Sequence, residues 1–281
     1  MNLHEIGESI QKIEVLDKVK DPLMALAAAV SPPGTVQDLL TGRWLGHPVH
    51  PAATDIPIGA WGSALVLDFF GNEEHERAAG ALIGVGIAAA VPTAAAGLAD
   101  WRYTIGGERR LGTLHALANV AALWVYGGSL VARAQGNRAM GKALNAVGAA
   151  MVAASAWMGG ELSFRLGVGV DETAHEARPT DWVPALDEAE LSEGDAKKVT
   201  VGEAEVFLTR QGGRVYALAE TCAHRGGPLH EGEIQDGQVI CPWHGSCFSL
   251  EDGAVIRGPS AYPQPRYETR SVDGKIEIRA G

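Results

Sequence analysis

The chain has 281 residues, 46% of them hydrophobic, with 34 acidic against 23 basic side chains and a formal net charge of −11. An acidic chain without a Lys/Arg-rich face has no footprint for phosphates, which excludes nucleic acid as a partner. Its three cysteines are too few for a disulfide framework, and all lie between residues 222 and 247, a usage that suits a reducing compartment.

Composition divides the chain into two domains. From Ala52 to Gly160 it is Ala, Gly, Leu, Val and Ile with few charges, whereas residues 181–281 hold seventeen acidic and ten basic residues. The N-terminus is polar and amphipathic, unlike a cleaved signal peptide. Leu3, Ile6, Ile10, Ile13, Leu16 and Val19 recur every three or four residues, which predicts an amphipathic helix over 3–20 that lies on a membrane surface or packs on the protein. Leu23 to Val30 is too short to span a bilayer, and Thr35 to Leu40 predicts a further short helix. Residues 1–50 are therefore expected to form an amphipathic N-terminal helix and an interfacial segment.

Four apolar segments follow: Ile56 to Phe70, Ala78 to Ala99, Leu111 to Ala132 and Ala143 to Gly160. A spanning helix needs roughly 17 to 25 apolar residues, and the second segment has no charge at all. Residues 51–165 are thus predicted to be an all-α membrane four-helix bundle in a lipid bilayer. Gly80 and Gly84 suit close helix packing, and Trp44, Trp61, Trp101 and Trp157 are placed as interfacial aromatics. Four spans put both termini on one side, with the loop Asp100 to Arg110. The balance of Lys and Arg leans slightly toward that side being cytoplasmic.

Residues 166–180 read as a linker. Beyond it the apolar period becomes two: Lys198–Val201, Glu205–Thr209, Val215–Ala219, Gln238–Cys241, Ala254–Arg257, Tyr267–Val272 and Lys275–Arg279 predict short strands. Gly212-Gly213, Asp236-Gly237, Asp252-Gly253 and Asp273-Gly274 mark turns. Residues 181–281 are therefore expected to be all-β.

Within them stand Cys222-x-His224 and Cys241-x-x-His244. Zinc fingers group both Cys before both His, whereas here each loop carries one of each. That alternation suits a [2Fe-2S] cluster with Cys222 and Cys241 on one iron and His224 and His244 on the other. The segment resembles Rieske proteins at all four ligand positions, over about residues 181–281, including Gly258-Pro259. The resemblance implies a Rieske-type β domain, a [2Fe-2S] cofactor and one-electron transfer.

High-potential members of that family place an extra Cys in each loop to form a disulfide. The corresponding positions here are Gly227 and Trp243. The resemblance gives Ser246 the role of a hydrogen-bond donor to sulfur, while the second donor, a Tyr, is replaced by Phe248. Fewer donors imply a modest potential. Pro228, Pro259 and Pro263 are expected to stiffen the loops. Cys247 reads as a small loop residue rather than a redox thiol, and His230 as a solvated loop residue rather than a fifth ligand.

Gly46-His47-Pro48-Val49-His50-Pro51 and Asp55-Ile-Pro-Ile-Gly-Ala-Trp resemble the signature of an uncharacterised bacterial four-helix membrane domain family, which implies an architecture and no activity. His47, His50, Asp55, Asp100, His115 and Glu161 fall near the same ends of the helices. Ionisable residues at membrane depth are functional candidates: for a haem b or metal ion, for quinone or proton handling, or for capping a re-entrant turn. The reading that follows is a multi-pass protein of the bacterial cytoplasmic membrane with its Rieske domain on the cytoplasmic side. It passes single electrons between a membrane partner, with quinol as candidate, and a redox protein. The alternatives are a ferredoxin component of an oxygenase system and a redox-sensing or assembly protein.

Overall fold

The computed structural model describes residues 3–281, so residues 1 and 2 of the expected N-terminal segment lie outside the described residues. The chain divides into a helical unit, up to Pro32 and again over Val49–Val168, and a β unit of Pro33–Pro48 and Gly169–Gly281.

This division differs from the expected boundaries at both joins. The stretch 33–48, which holds α3 (Thr35–Thr41), folds with the β unit rather than with a segment 1–50. Asp38 Oδ1 accepts from the Gly258 N–H at 2.8 Å, and Arg43 donates to the Val255 and Ile256 carbonyls at 3.1 and 2.6 Å. Residues 169–180, within the expected linker, fold with the β unit. The Glu172 N–H donates to the Ala223 carbonyl at 3.1 Å, and the Ala280 N–H to that of Pro179 at 2.6 Å.

The helical unit begins with α1 (Leu3–Gln11), a 3-10 turn (Glu14–Val19) and α2 (Lys20–Val30). The single helix expected over 3–20 is broken because Arg110 pairs with Asp17 at 2.6 Å and takes the Gln11 carbonyl at 3.2 Å, drawing the chain into a turn. Four long helices follow: α4 (Val49–Phe70), α5 (Glu73–Trp101), α6 (Gly106–Ala134) and α7 (Arg138–Gly160), the last running into a π-helical turn at Glu161–Arg165. Among the described residues three helices, Glu73–Trp101, Gly106–Ala134 and Arg138–Arg165, are long and apolar enough to cross a membrane. Only 22%, 17% and 28% of their most apolar stretches are buried, so the apolar residues face outward. The fourth expected span, α4, stands outside that set; it is shorter and carries Asp55 and Asp68.

The bundle contains an internal duplication that fixes its core. Asn72 and Asn137 cap α5 and α7, accepting from the N–H groups of His75 and Met140 at 2.8 and 3.1 Å. Going back along α4 and α6 by equal steps, Asp68 matches Arg133, Trp61 matches Tyr126 and His50 matches His115, every pair 65 residues apart. Each matched pair touches. Asp68 and Arg133 form an ion pair at 2.5 Å, Trp61 stacks on Tyr126 with ring centres 4.3 Å apart, and the two imidazole planes meet at 88° with their centres 6.2 Å apart. The pairs therefore mark a pseudo-twofold axis between two hairpins, α4–α5 and α6–α7.

Two expectations fall with this arrangement. Trp61 and Trp101 are core residues rather than interfacial ones, 5% and 7% exposed. Glycines that permit close approach include Gly86 and Gly148, where a Cβ would lie 2.2 and 2.9 Å from the Trp61 and Tyr126 rings; at Gly80 and Gly84 nothing crowds the position. Pro57 has no N–H for the Ala53 carbonyl, which lies 3.3 Å from the Thr93 hydroxyl of α5, a group whose nearer acceptor is the Ala89 carbonyl at 2.9 Å.

The β unit has a six-stranded antiparallel sheet, in the order β1-β10-β9-β4-β3-β2, and a four-stranded one, β5-β6-β7-β8. The first is built from β1 (Val183–Asp187), β2 (Ala196–Val201), β3 (Ala204–Gln211), β4 (Arg214–Ala219), β9 (Arg266–Val272) and β10 (Lys275–Ala280). The second comprises β5 (Glu233–Gln235), β6 (Gln238–Ile240), β7 (Cys247–Ser249) and β8 (Val255–Arg257). Alternation along β3 and β4 feeds two cores: Val206, Leu208, Ala217 and Ala219 face one, while Phe207 and Leu218 face another that includes Cys222, Cys241 and Phe248.

The buried ion pair at the duplication axis generates a prediction. Asn145 also donates to Asp68, at 2.7 Å. Arg133→Met strands a buried carboxylate and is expected to cost about 3–5 kcal/mol. Adding Asp68→Leu recovers most of the loss, as read from thermal unfolding in detergent.

Candidate functional site

Two loops converge on the second core, one after β4 and one between β6 and β7, and they close by the same hydrogen bonds. The Cys222 N–H donates to the Gly227 carbonyl at 2.9 Å, and the Gly226 N–H returns to the Cys222 carbonyl at 2.8 Å. In the second loop the Cys241 N–H donates to the Ser246 carbonyl at 2.8 Å, and the Gly245 N–H to the Cys241 carbonyl at 3.0 Å. Gly226 and Gly245 occupy the same place in each turn with φ of 73° and 76°, a backbone that favours glycine.

This shared closure pairs like with like. Cys222 and Cys241 hydrogen-bond to each other, and both are buried. The His224 and His244 rings stand 5.1 Å apart, centre to centre, at 89°. Backbone N–H groups of His224 and Arg225 point at the Cys222 sulfur, and those of Trp243 and His244 at the Cys241 sulfur. The bond between the thiols and burial push Cys222 up, while the same bond draws Cys241 down to about 7. Burial lowers His224 to about 3 and also lowers His244, so both imidazoles are neutral near pH 7 with lone pairs available to a metal.

A tetrahedral metal with two imidazoles places their ring centres about 5 Å apart, from a metal–nitrogen bond of about 2.0 Å and about 1.1 Å from nitrogen to ring centre. The His224–His244 separation fits that value. Two sulfurs on one side and two ring nitrogens on the other fit a [2Fe-2S] cluster of inequivalent irons, with the four N–H groups available to sulfur. Gly227 completes the cradle: a Cβ there would lie 2.7 Å from the Cys241 sulfur and 3.1 Å from Trp243 Cγ. The two positions that carry the additional cysteines in high-potential relatives are thus side by side, and filled here by the Trp243 ring.

Ser246 is fully buried and its hydroxyl oxygen accepts from the Ser260 N–H at 3.0 Å, leaving its proton to donate. Phe248 is buried beside both cysteines and has no donor. Pro259 follows Gly258, whose N–H is held by Asp38, so α3 braces the loop that reaches Ser246. The Cys247 thiol is buried, donates to Gln238 Oε1 at 2.8 Å and is raised by burial; Cys247 is the first residue of β7 rather than the loop residue expected, and it is packed there. His230 departs from the solvated reading: its Nδ1 meets the carboxylate of Glu220, and its N–H donates to that residue at 3.2 Å. Burial raises the Glu220 carboxyl, and His230 opposes the shift.

Sequence reasoning missed Gln264. It is 2% exposed, accepts from the Ala223 N–H at 3.0 Å, and donates to the carbonyls of Ala219 and Thr221 at 2.8 and 2.6 Å. One side chain thus holds the first loop on both sides of Cys222. Its signal in the sequence is slight, a buried amide between Pro263 and Pro265.

Of the membrane candidates, the structure brings together His50 and His115. His47 belongs to the β unit, with its ring nitrogen 3.2 Å from the Pro48 carbonyl. Asp55 is exposed on α4, Asp100 is half-buried near the end of α5, and Glu161 pairs with Arg165 at 3.2 Å.

Gln264→Leu leaves three backbone groups unpaired. It is expected to cost at least about 2 kcal/mol and to lower iron per chain, checked by thermal unfolding and metal analysis. Cys247→Ala is expected to cost about 1 kcal/mol or less and to leave iron content unchanged.

A family model described as "Rieske [2Fe-2S] domain" matches residues 181–268, and one described as "Predicted membrane protein (DUF2231)" matches residues 46–172. The anthranilate 1,2-dioxygenase ferredoxin subunit of Burkholderia cepacia is 30% identical over 106 residues, covering 38% of this chain and 98% of the relative. Apoptosis-inducing factor 3 of Mus musculus is 33% identical over 91 residues, 32% of this chain; the chain spans 15% of that relative's length. Among solved structures, the ferredoxin of carbazole 1,9a-dioxygenase from Nocardioides aromaticivorans IC177 matches at 24% identity and a TM-score of 0.35, over 36% of this chain and all of that one. Through its C-terminal unit the chain belongs to the Rieske [2Fe-2S] family, joined here to a DUF2231 predicted membrane protein domain.

Proposed function

We propose that this is a membrane-anchored Rieske electron-transfer protein, with Cys222 and Cys241 holding one iron and His224 and His244 the other. The observation that carries the reading is the pairing of thiol with thiol and imidazole with imidazole across two identically closed loops. When bound, the cluster takes up and returns one electron at a time. The neutral imidazoles leave the iron they hold less negative than thiolates would, which favours reduction. The N–H groups of His224, Arg225, Trp243 and His244 and the Ser246 hydroxyl favour the added charge. Phe248 adds nothing to that effect.

The His224 and His244 rings are half-buried beside Trp243, which is 56% exposed. A partner docking at that edge reaches the imidazoles rather than the buried sulfurs. The long helices would anchor the chain as a multi-pass protein of the bacterial cytoplasmic membrane, four spans counting α4, with the Rieske domain cytoplasmic. The donor would be quinol or a redox centre within the helical unit. Similarity to the dioxygenase ferredoxin subunit favours a second reading, a ferredoxin that feeds an oxygenase component.

The test uses full-length protein in liposomes. Quinol is expected to reduce the cluster, with a midpoint below about +200 mV, short of the upper part of the Rieske range. Cys222→Ser and His244→Ala are expected to lose the cluster. A cluster inert to quinol that passes electrons from a flavoprotein reductase to an oxygenase component favours the second reading. A midpoint above that value would contradict the roles given to Phe248 and Gly227.

A further inference from the structure

All four long helices contribute to one polar cluster inside the bundle. His50 on α4 places its Nδ1 2.9 Å from the Thr93 carbonyl of α5, and His115 on α6 places its Nδ1 2.8 Å from the Ser155 carbonyl of α7. A carbonyl only accepts, so each Nδ1 carries the proton and each Nε2 keeps its lone pair, the arrangement common to metal-ligating histidines. The duplication extends to the rings' surroundings. Thr93 and Ser155 are each followed four residues later by glycine, where a Cβ would stand 2.7 Å from the His50 ring at Gly97 and 3.4 Å from the His115 ring at Gly159.

The ring centres are 6.2 Å apart and the ring planes meet at 88°. By the bond lengths used for the cluster site, two imidazoles on opposite sides of one metal have centres about 6 Å apart, against about 5 Å at a tetrahedral angle. Among the described residues, His224 and His244 have the shorter spacing and His50 and His115 the longer. Among the described residues no third His, Cys, Asp or Glu joins His50 and His115 around a common point. A bare ion would have two protein ligands, whereas a planar macrocycle brings four equatorial nitrogens and asks for two axial ones. A pseudo-twofold axis through the pair suits a ligand with equivalent faces.

We propose that His50 and His115 are the trans axial ligands of a b-type haem held between the hairpins α4–α5 and α6–α7. Asn119 lies 3.2 Å from His115 Nε2 through the amide that also donates to the His115 carbonyl at 3.0 Å; with iron on Nε2 the amide retains that carbonyl. Buried imidazoles with no acidic partner at membrane depth then have a use beyond capping helices. The site stands apart from the cluster assignment, because no cluster residue enters it.

The test is expression of the full chain with haem supplied, purification in detergent, and optical and EPR spectra of the same sample. One haem per chain is expected, six-coordinate and low-spin, with the strongly anisotropic EPR signal of near-perpendicular imidazoles. His50→Ala and His115→Ala each lose the six-coordinate spectrum and keep the cluster signal; Cys222→Ser does the reverse, so failure of one assignment is distinguishable from failure of the other. Where an Ala variant does not assemble, His115→Met decides: a displaced low-spin spectrum supports ligation, and an unchanged one overturns it. Protein with a full cluster signal and no Soret band after haem supply overturns the proposal, as does a Soret band indifferent to both histidines.

Discussion

The β unit depends on one repeated interaction, the return of the Cys N–H to the carbonyl five residues on, with the intervening glycine N–H closing the turn. Because it occurs at both Cys222 and Cys241, two separate loops each present a cysteine and a histidine in matching frames. The thiols turn inward, where Phe248 and Val239 keep water away, and the imidazoles turn toward the surface. Buried thiolates would be costly alone; a metal cluster and four backbone N–H groups answer that cost. The second sheet and Gln264 serve to keep the two frames in register.

The helical unit reaches a comparable result by duplication. Opposite positions of two hairpins meet as His50 with His115, Trp61 with Tyr126, and Asp68 with Arg133, so the contacts run down one axis from imidazole pair to ion pair. The outer faces of the helices are left to apolar side chains such as Phe69, Val91 and Trp124. The two units thus each contain a pair of imidazoles at a distinct spacing, and the spacing decides the metal geometry each can serve.

Much of this was legible in the chain. Period-two alternation located seven strands of the β unit, and the Cys-x-His and Cys-x-x-His spacing singled out the four side chains that the structure brings together in pairs. β1, β5 and β7 escaped because they are three to five residues long and lack clear alternation. Gln264 escaped because its role depends on backbone atoms forty residues away. The duplication was concealed by substitution: Asp68 matches Arg133 and Trp61 matches Tyr126 in position while differing in chemistry. Interfacial placement of Trp61 failed for the same reason, since only the facing glycine at 86 shows that the ring has somewhere to go. Residues 33–48 fold with the β unit because Asp38, in a short helix, and Arg43, just beyond it, make their bonds with residues more than two hundred positions later.

The most direct measurement is the EPR and nitrogen hyperfine spectrum of the dithionite-reduced, detergent-purified full-length protein. Cys222 and Cys241 on one iron and His224 and His244 on the other predict a rhombic signal with average g below the free-electron value and couplings to two inequivalent imidazole nitrogens. A signal without nitrogen coupling, or protein that carries zinc and no iron, would contradict the account.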